Sequence, residues 1–116
     1  MPYDVIVVED DPDVRDLLAM FVKHQGVQVM TYASAEEVMD DVQTRAALLD
    51  LRLPGASGAE LAARLRTQSP RTRIAFITAY DFAPELKAHP EARIFTKPVN
   101  FTELGRFIKS AMGEQA

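Results

Sequence analysis

Cysteine and tryptophan are absent from this sequence of 116 residues. Without cysteine the chain can form no disulfide bond and offers no thiolate to a metal, so a cytoplasmic location is the simplest expectation. No apolar run approaches the roughly 18 residues that span a membrane. Residues 1–4 also lack the basic start of a signal peptide. These absences predict a cytoplasmic protein that makes no membrane contact.

Basic residues are too few for a nucleic-acid surface. The chain has 13 Lys and Arg against 17 Asp and Glu, a formal net charge of -4. Nucleic-acid binding usually requires a basic stripe, so we expect no direct nucleic-acid partner. The hydrophobic fraction of 47% is that of one globular domain. Since no linker or repeat interrupts the sequence, we predict a single domain over residues 1–116.

Short apolar runs alternate with helical patterns along the whole chain. The predicted strands are residues 5–8, 27–32, 46–49, 73–78 and 92–96. The predicted helices are residues 12–25, 34–42, 58–67, 81–88 and 101–112. The fourth helix must be short, because Pro84 suits only a first turn and Pro90 ends the helix. This alternation predicts an α/β fold, a (βα)5 doubly wound sheet of five parallel strands with helices on both faces.

Asp50 closes the apolar third strand and precedes a Pro-Gly turn. A carboxylate is costly inside a core, so Asp50 is expected at the carboxyl end of that strand, where the chain leaves the sheet. Ligands and chemistry gather at this edge of an open parallel sheet. Taken alone, Asp50 has an alternative explanation as a cap of the turn or of the following helix.

Polar side chains follow three other predicted strands. Glu9 and Asp10 come directly after the first strand, Thr78 ends the fourth, and Lys97 lies just past the fifth. Because the carboxyl ends of parallel strands meet at one edge, we expect these side chains to lie near Asp50. A functional site explains this set better than chance does.

The chemistry of the set indicates phosphoryl transfer. Crowded carboxylates repel each other by about 1 to 4 kcal/mol per pair at ~4 Å, which favours a bound divalent cation. Mg²⁺ fits best, because it accepts carboxylate and phosphate oxygens and keeps several waters. We therefore assign Asp50 as the phosphoryl acceptor and Glu9, Asp10 and Asp50 as metal ligands. Thr78 is the hydroxyl donor and Lys97 the counter-charge to the phosphoryl oxygens.

These motifs resemble the receiver domains of two-component response regulators, also called CheY-like domains. The matching blocks are Val7-Val8-Glu9-Asp10-Asp11, Asp50-Leu51-Arg52-Leu53-Pro54-Gly55, Ile77-Thr78-Ala79 and Lys97-Pro98. The resemblance implies a flavodoxin-like, three-layer (βα)5 fold. It also implies that Asp50, with Mg²⁺, accepts a phosphoryl group from a histidine kinase or histidine phosphotransfer protein and loses it by hydrolysis. The backbone carbonyl of Arg52 is implied as a further metal ligand.

The resemblance also implies a signalling role. Such a domain is not a conventional enzyme, because it catalyses only its own phosphorylation and dephosphorylation, and it changes its affinity for an output protein or domain. The kinase and the output partner are not identified by the sequence. The fourth and fifth helices commonly form the dimer or target face in this family, so a homodimer is one of the assemblies left open.

The region between Thr78 and Lys97 departs from the family pattern. Receivers commonly carry Tyr or Phe three positions before the Lys, whereas this chain has Ile94 there and Phe95 one residue later. Strand alternation sends these two side chains to opposite faces, so Phe95 is no simple substitute. Because the predicted fourth helix is short, our hypothesis is that output relies on rearrangement of residues 80–91 rather than on an aromatic side chain.

Two other classes of function stay open from the sequence. A phosphorylation-independent pseudo-receiver would act only as an interaction surface, and Ile94 and the short fourth helix keep that alternative open. A flavodoxin-like cofactor binder shares the strand order but needs a phosphate loop after the first strand, where this chain has three acids. His24 and His89 fall outside the predicted site and are expected to be exposed to solvent.

Overall fold

The computed structural model describes residues 3–113, so residues 1–2 and 114–116 of the predicted domain lie outside the described part. The strands are β1 Tyr3–Val8, β2 Val29–Tyr32, β3 Thr44–Asp50, β4 Arg73–Thr78 and β5 Arg93–Thr96. The α-helices are α1 Pro12–His24, α2 Gly58–Gln68 and α3 Phe101–Ala111. Two 3-10 turns complete the order, the first at Ala35–Glu37 and the second at Pro84–Ala88. The five predicted strands are confirmed.

All five strands are parallel and lie in the order β2-β1-β3-β4-β5. The register aligns their carboxyl ends, since Val8 pairs with Leu49 and Asp50 pairs with Ile77. Thr78, at the end of β4, pairs with Thr96 at the end of β5. The predicted doubly wound α/β sheet is confirmed, and its alignment places the residues after β1, β3, β4 and β5 at one edge.

Two hydrophobic cores cover the two faces of the sheet. Val5 and Val7 face the core shared with α1 and α3, whereas Ile6 and Val8 face the core shared with α2. All four side chains are fully buried. This two-sided burial explains why the strands are continuous apolar runs and why the sequence could locate them.

Each of the three α-helices begins at a side-chain cap. The Asp11 carboxylate accepts hydrogen bonds from the backbone of Asp13 and Val14, and Pro12 is the first residue of α1. Ser57 and Glu60 form a reciprocal capping box at the start of α2. Such caps satisfy backbone donors that a helix leaves free, and so they fix where each helix begins. None of the helices within residues 3–113 is long and apolar enough to cross a bilayer.

The prediction of a second helix, over residues 34–42, is wrong. Residues 34–42 contain only the first 3-10 turn, because Ser34 makes no side-chain cap and Val38 is already extended. Glu37 instead accepts a hydrogen bond from the backbone of Ala33. Ser34 and Glu37 have the spacing of a capping box, but the box does not form, and the chain continues as a loop toward β3.

The fourth predicted helix is also corrected, from an α-helix over residues 81–88 to the second 3-10 turn. Pro84 begins that turn, and Pro90 follows soon after its end. Residues 3–113 thus contain three α-helices rather than the five predicted. The expected shortness of this segment is confirmed, because the two prolines leave no room for a regular α-helix.

His89 is buried rather than exposed to solvent as the sequence suggested. Its Nδ1 accepts a hydrogen bond of 3.0 Å from Arg66 Nε, and its ring packs against Phe76. Burial lowers the pKa of His89 below its ordinary value, and the positive charge of Arg66 lowers it further. His24, at the end of α1, is exposed as expected.

This burial makes part of the folding stability dependent on pH. The pKa of His89 in the folded chain lies below its value of about 6.5 in the unfolded chain. As the pH falls, the unfolded chain therefore binds more protons than the folded chain does. The stability gained by holding His89 neutral is therefore full above pH ~6.5 and lost as the pH drops toward the folded pKa. When the pH is lowered from 7.5 to 5.5, the free energy of unfolding measured in urea is expected to fall less for His89→Gln than for the unaltered chain. The matched control is His24→Gln, which removes an exposed histidine and is expected to behave as the unaltered chain does. An equal fall in the free energy of unfolding for His89→Gln and the unaltered chain would contradict the prediction.

Candidate functional site

The centre of the site is an ammonium group between two buried carboxylates. Lys97 Nζ donates to Glu9 Oε1 at 3.1 Å and to Asp50 Oδ2 at 3.5 Å. The side chains of Glu9 and Asp50 are only 2% and 9% exposed, whereas that of Lys97 is 29% exposed. The ends of β1, β3 and β5 therefore meet, as the positions of these residues predict.

The pKa values of this group reflect its crowding. Burial raises the pKa of Glu9 to about 7, and the Asp50 carboxylate adds to the rise, although hydrogen bonds from Asp11 N and Lys97 oppose it. Burial alone lowers the pKa of Lys97, but the hydrogen bond to Glu9 and the charge of Asp50 outweigh that effect and raise it. A buried carboxylate with a raised pKa is one whose charge is not fully balanced. Additional positive charge at the site would balance the negative charge of Glu9 and Asp50 and so stabilise their ionised forms.

An acidic cluster at this edge is suited to a cation. One carboxylate oxygen from each of Glu9, Asp10 and Asp50 lies within 4.8 Å of the others. All three donors are oxygens, which a hard divalent cation prefers. Asp10 is exposed, so water reaches the cluster and can complete a coordination shell. The donor set and its openness fit a metal that keeps several water ligands, as Mg²⁺ does.

Thr78 lies at the same edge, with its hydroxyl bonded to its own turn. The residue is 1% exposed, and Oγ1 accepts a hydrogen bond of 2.9 Å from Tyr80 N. The Thr78 carbonyl accepts a 2.8 Å bond from Lys97 N, which joins the ends of β4 and β5. Within residues 3–113 no hydrogen bond links the Thr78 hydroxyl to Asp50 or to the Lys97 ammonium.

Two arginines support the site in ways that the sequence did not reveal. Arg52 N donates to Asp50 Oδ1 at 3.3 Å, while the Arg52 side chain reaches the carboxylate of Glu85. Arg15, in α1, donates from Nη1 to the backbone carbonyl of Glu9 at 2.9 Å and fixes the turn after β1. A basic residue in the early part of a helix that follows an acidic turn is a sequence signal for the Arg15 contact. The Arg52 contact has no such local signal.

The side chains before Lys97 point to opposite faces of β5, as strand alternation predicts. Phe95 is 5% exposed and packs with Phe107 at a ring-centroid distance of 6.0 Å. Ile94 is 38% exposed on the other face. Phe95 therefore does not occupy the position that the family usually gives to a movable aromatic ring.

The family comparison covers nearly the whole chain. The sequence model described as "Response regulator receiver domain" matches residues 5–109. The positive alginate biosynthesis regulatory protein of Pseudomonas aeruginosa is 32% identical over 115 residues, covering 93% of this chain and 46% of that protein. The chain spans between 25% and 46% of the length of the curated relatives compared.

Solved structures share the same fold. The response regulator protein TrrA from Thermotoga maritima, in complex with Mg(2+)-BeF, is 27% identical with a TM-score of 0.77, covering 96% of this chain and 99% of that one. A CheY-like receiver domain protein from Methanospirillum hungatei JF-1 is 25% identical with a TM-score of 0.86, covering 99% and 97%. From the matched residues and the shared fold, this chain belongs to the family of receiver domains of two-component response regulators.

Proposed function

We propose that Asp50 is the phosphoryl acceptor of this receiver domain, and that residues 1–116 act as one such domain in the cytoplasm. The observation that carries the proposal is the meeting of Asp50 with Glu9, Asp10 and Lys97 at the carboxyl edge of the sheet. Receiver domains in general interact with kinases and with output domains. For this chain we propose a histidine kinase or a histidine phosphotransfer protein as the phosphoryl donor.

The chemistry follows from the neighbours of Asp50. A carboxylate oxygen of Asp50 attacks the phosphorus of phosphohistidine, so that an O–P bond forms and the P–N bond breaks. The imidazole leaves as the neutral ring after it gains a proton from solvent. Lys97 Nζ, now shared by Asp50 and Glu9, balances the charge of the phosphoryl oxygens. The Thr78 hydroxyl donates a hydrogen bond to one of those oxygens once it rotates away from the backbone N–H of Tyr80.

Glu9, Asp10, Asp50 and the backbone carbonyl of Arg52 would hold Mg²⁺. Bound there, Mg²⁺ supplies positive charge that offsets both the crowded carboxylates and the incoming phosphoryl oxygens. The Mg(2+)-BeF complex of the T. maritima relative supports this choice of metal. Hydrolysis then returns Asp50 to its free carboxylate, with water as the second reactant.

Phosphorylation changes the charge of this edge. The phosphoryl group carries about two negative charges in place of the single charge of the free Asp50 carboxylate, and this change beside Lys97 and Thr78 alters the affinity of the domain for an output protein or domain. A homodimer is one assembly through which such a change can act. The meeting of Glu9, Asp10 and Asp50 with Lys97 at one edge of the sheet supports phosphoryl transfer over a phosphorylation-independent interaction module. The three acids after β1 also oppose a flavodoxin-like cofactor site, because they repel a cofactor phosphate.

Incubation with Mg²⁺ and acetyl phosphate tests the proposal. Intact-mass spectrometry is expected to show one added phosphoryl group. Addition of a chelator is expected to suppress the adduct, because the negative charges of the carboxylates are then not neutralised by Mg²⁺. No adduct under either condition would contradict the proposal and favour the phosphorylation-independent module. A visible flavin spectrum of the purified protein would instead indicate a cofactor binder.

A further inference from the structure

The Arg52 side chain joins the loop after β3, which begins next to Asp50, to the segment after β4, residues 80–91. Arg52 follows Asp50 by two residues, and its backbone N–H is bonded to the Asp50 carboxylate. Its guanidinium leaves that loop, forms an ion pair with Glu85 and lies over the ring of Tyr80, 5.4 Å from the ring centroid. One side chain therefore contacts both ends of residues 80–85 from a position next to Asp50.

Tyr80 is itself tied to the site. Its backbone N–H donates to the Thr78 hydroxyl at 2.9 Å, so the residue that Arg52 covers is also the partner of a proposed phosphoryl ligand. If the Thr78 hydroxyl turns to a phosphoryl oxygen, the Tyr80 backbone loses this acceptor. Arg52 thus connects Asp50 to the start of the segment, and Thr78 would add a second connection once its hydroxyl turned to a phosphoryl oxygen on Asp50.

Residues 80–85 have few other restraints on their outer side, whereas His89 and Glu91, at the far end of the segment, are held by Arg66. The second 3-10 turn has no side-chain cap, and the Phe82 side chain is 93% exposed. Ala83, Leu86 and His89 are buried and anchor the segment to the core. A region with a thin buried face and exposed backbone opens at low free-energy cost. The contacts of Arg52 therefore have a large relative influence on its order.

We propose that Arg52 is a two-position switch that exchanges Glu85 and Tyr80 for the phosphoryl group on Asp50. This inference rests on the proposed function. An exposed Arg–Glu pair is a weak contact, whereas a dianionic phosphoryl group offers the guanidinium several strong acceptor oxygens. Phosphorylation of Asp50 draws Arg52 toward the site and releases residues 80–91. The rearranged segment is then the signal that an output partner senses, without an aromatic ring at position 94.

Amide hydrogen exchange of residues 80–91 tests the switch, with beryllium fluoride and Mg²⁺ as the phosphoryl mimic. In the unaltered chain, addition of the mimic is expected to speed exchange in this segment. Glu85→Gln is expected to speed exchange by about threefold before addition, because the ion pair is lost, and to show little further change afterwards. The matched control is Glu103→Gln, which removes the exposed Arg93–Glu103 pair outside the segment and is expected to leave exchange there unchanged.

The outcomes separate the switch from the proposed function. Acetyl phosphate with Mg²⁺ and intact-mass spectrometry report whether the same preparations accept a phosphoryl group. An adduct together with identical exchange of residues 80–91 in the unaltered chain and in Glu85→Gln would overturn the switch and leave the proposed function standing. No adduct in the unaltered chain would overturn the proposed function and the switch with it. An adduct together with the expected exchange pattern supports both.

Discussion

Asp50→Asn is expected to abolish the phosphoryl adduct formed with Mg²⁺ and acetyl phosphate. The amide has nearly the shape of the carboxylate, but its oxygen is neutral and is a poor nucleophile toward phosphorus. The fold is expected to survive, because the amide oxygen can still accept from Arg52 N or from Lys97 Nζ. Lys97 also keeps its bond to Glu9. Loss of the adduct would then report the missing nucleophile rather than a collapsed site.

Intact-mass spectrometry after a fixed incubation measures this effect. The matched control is Asp41→Asn, which removes an exposed carboxylate from the loop before β3 and is expected to leave the adduct unchanged. Circular dichroism of both variants checks that the fold is retained. A full-strength adduct in Asp50→Asn would place the acceptor on another carboxylate, with Asp10 and Glu9 the first to examine, and would contradict the proposed role of Asp50.

Gly58→Ala is expected to lower the free energy of unfolding by about 3 kcal/mol, near the upper end for overpacked sites. Gly58 is the first residue of α2, and its N–H donates to the Leu51 carbonyl at 3.0 Å. A Cβ added there would overlap the carbonyl oxygen of Asp50 and lie 3.1 Å from Leu51 Cα. Backbone atoms cannot turn aside as a flexible side chain can, so either α2 or the end of β3 must move.

Urea unfolding followed by circular dichroism measures the change. Gly105→Ala is the matched control, because a Cβ at that position in α3 meets its nearest atom, Phe21 Cζ, at an ordinary 3.4 Å. That variant is expected to raise stability by about 0.5 to 1 kcal/mol through higher helix propensity. Since any shift at Gly58 moves Asp50, Gly58→Ala is also expected to slow phosphorylation. Equal stability of the two variants would contradict the close approach of α2 to Asp50.

The parts of the fold that the sequence predicted are those with local causes. β1 and β3 are buried on both faces and therefore appear as continuous apolar runs. The starts of α1 and α3 depend on caps within a few residues, so Asp11 and Asn100 marked them correctly. The predicted roles of Glu9, Asp50, Thr78 and Lys97 followed from the same logic, because each of these residues directly follows or ends a predictable strand. The role of the Arg52 carbonyl was implied only by the resemblance to receiver domains.

The errors have longer-range causes. Residues 34–42 carry a capping pattern, but the carboxylate of Glu36 bonds the backbone of Ala56, which lies 20 residues away. That contact helps hold the first 3-10 turn against the loop before α2, and no pattern in residues 34–42 indicates it. The Arg52–Glu85 pair likewise joins residues 33 positions apart on two irregular segments. Burial of His89 depends on Arg66 and Phe76, which come from two other elements.

The two outer strands of the sheet have a consequence for self-association. β2 and β5 each contain only four residues, and β5 begins at Arg93 and is followed at once by Lys97. An unpaired strand from another molecule could form few backbone hydrogen bonds with so short a border. Edge-to-edge growth into aggregates is thereby discouraged. Contacts between copies of the domain are left to side-chain surfaces, which a change of charge at Asp50 is able to influence.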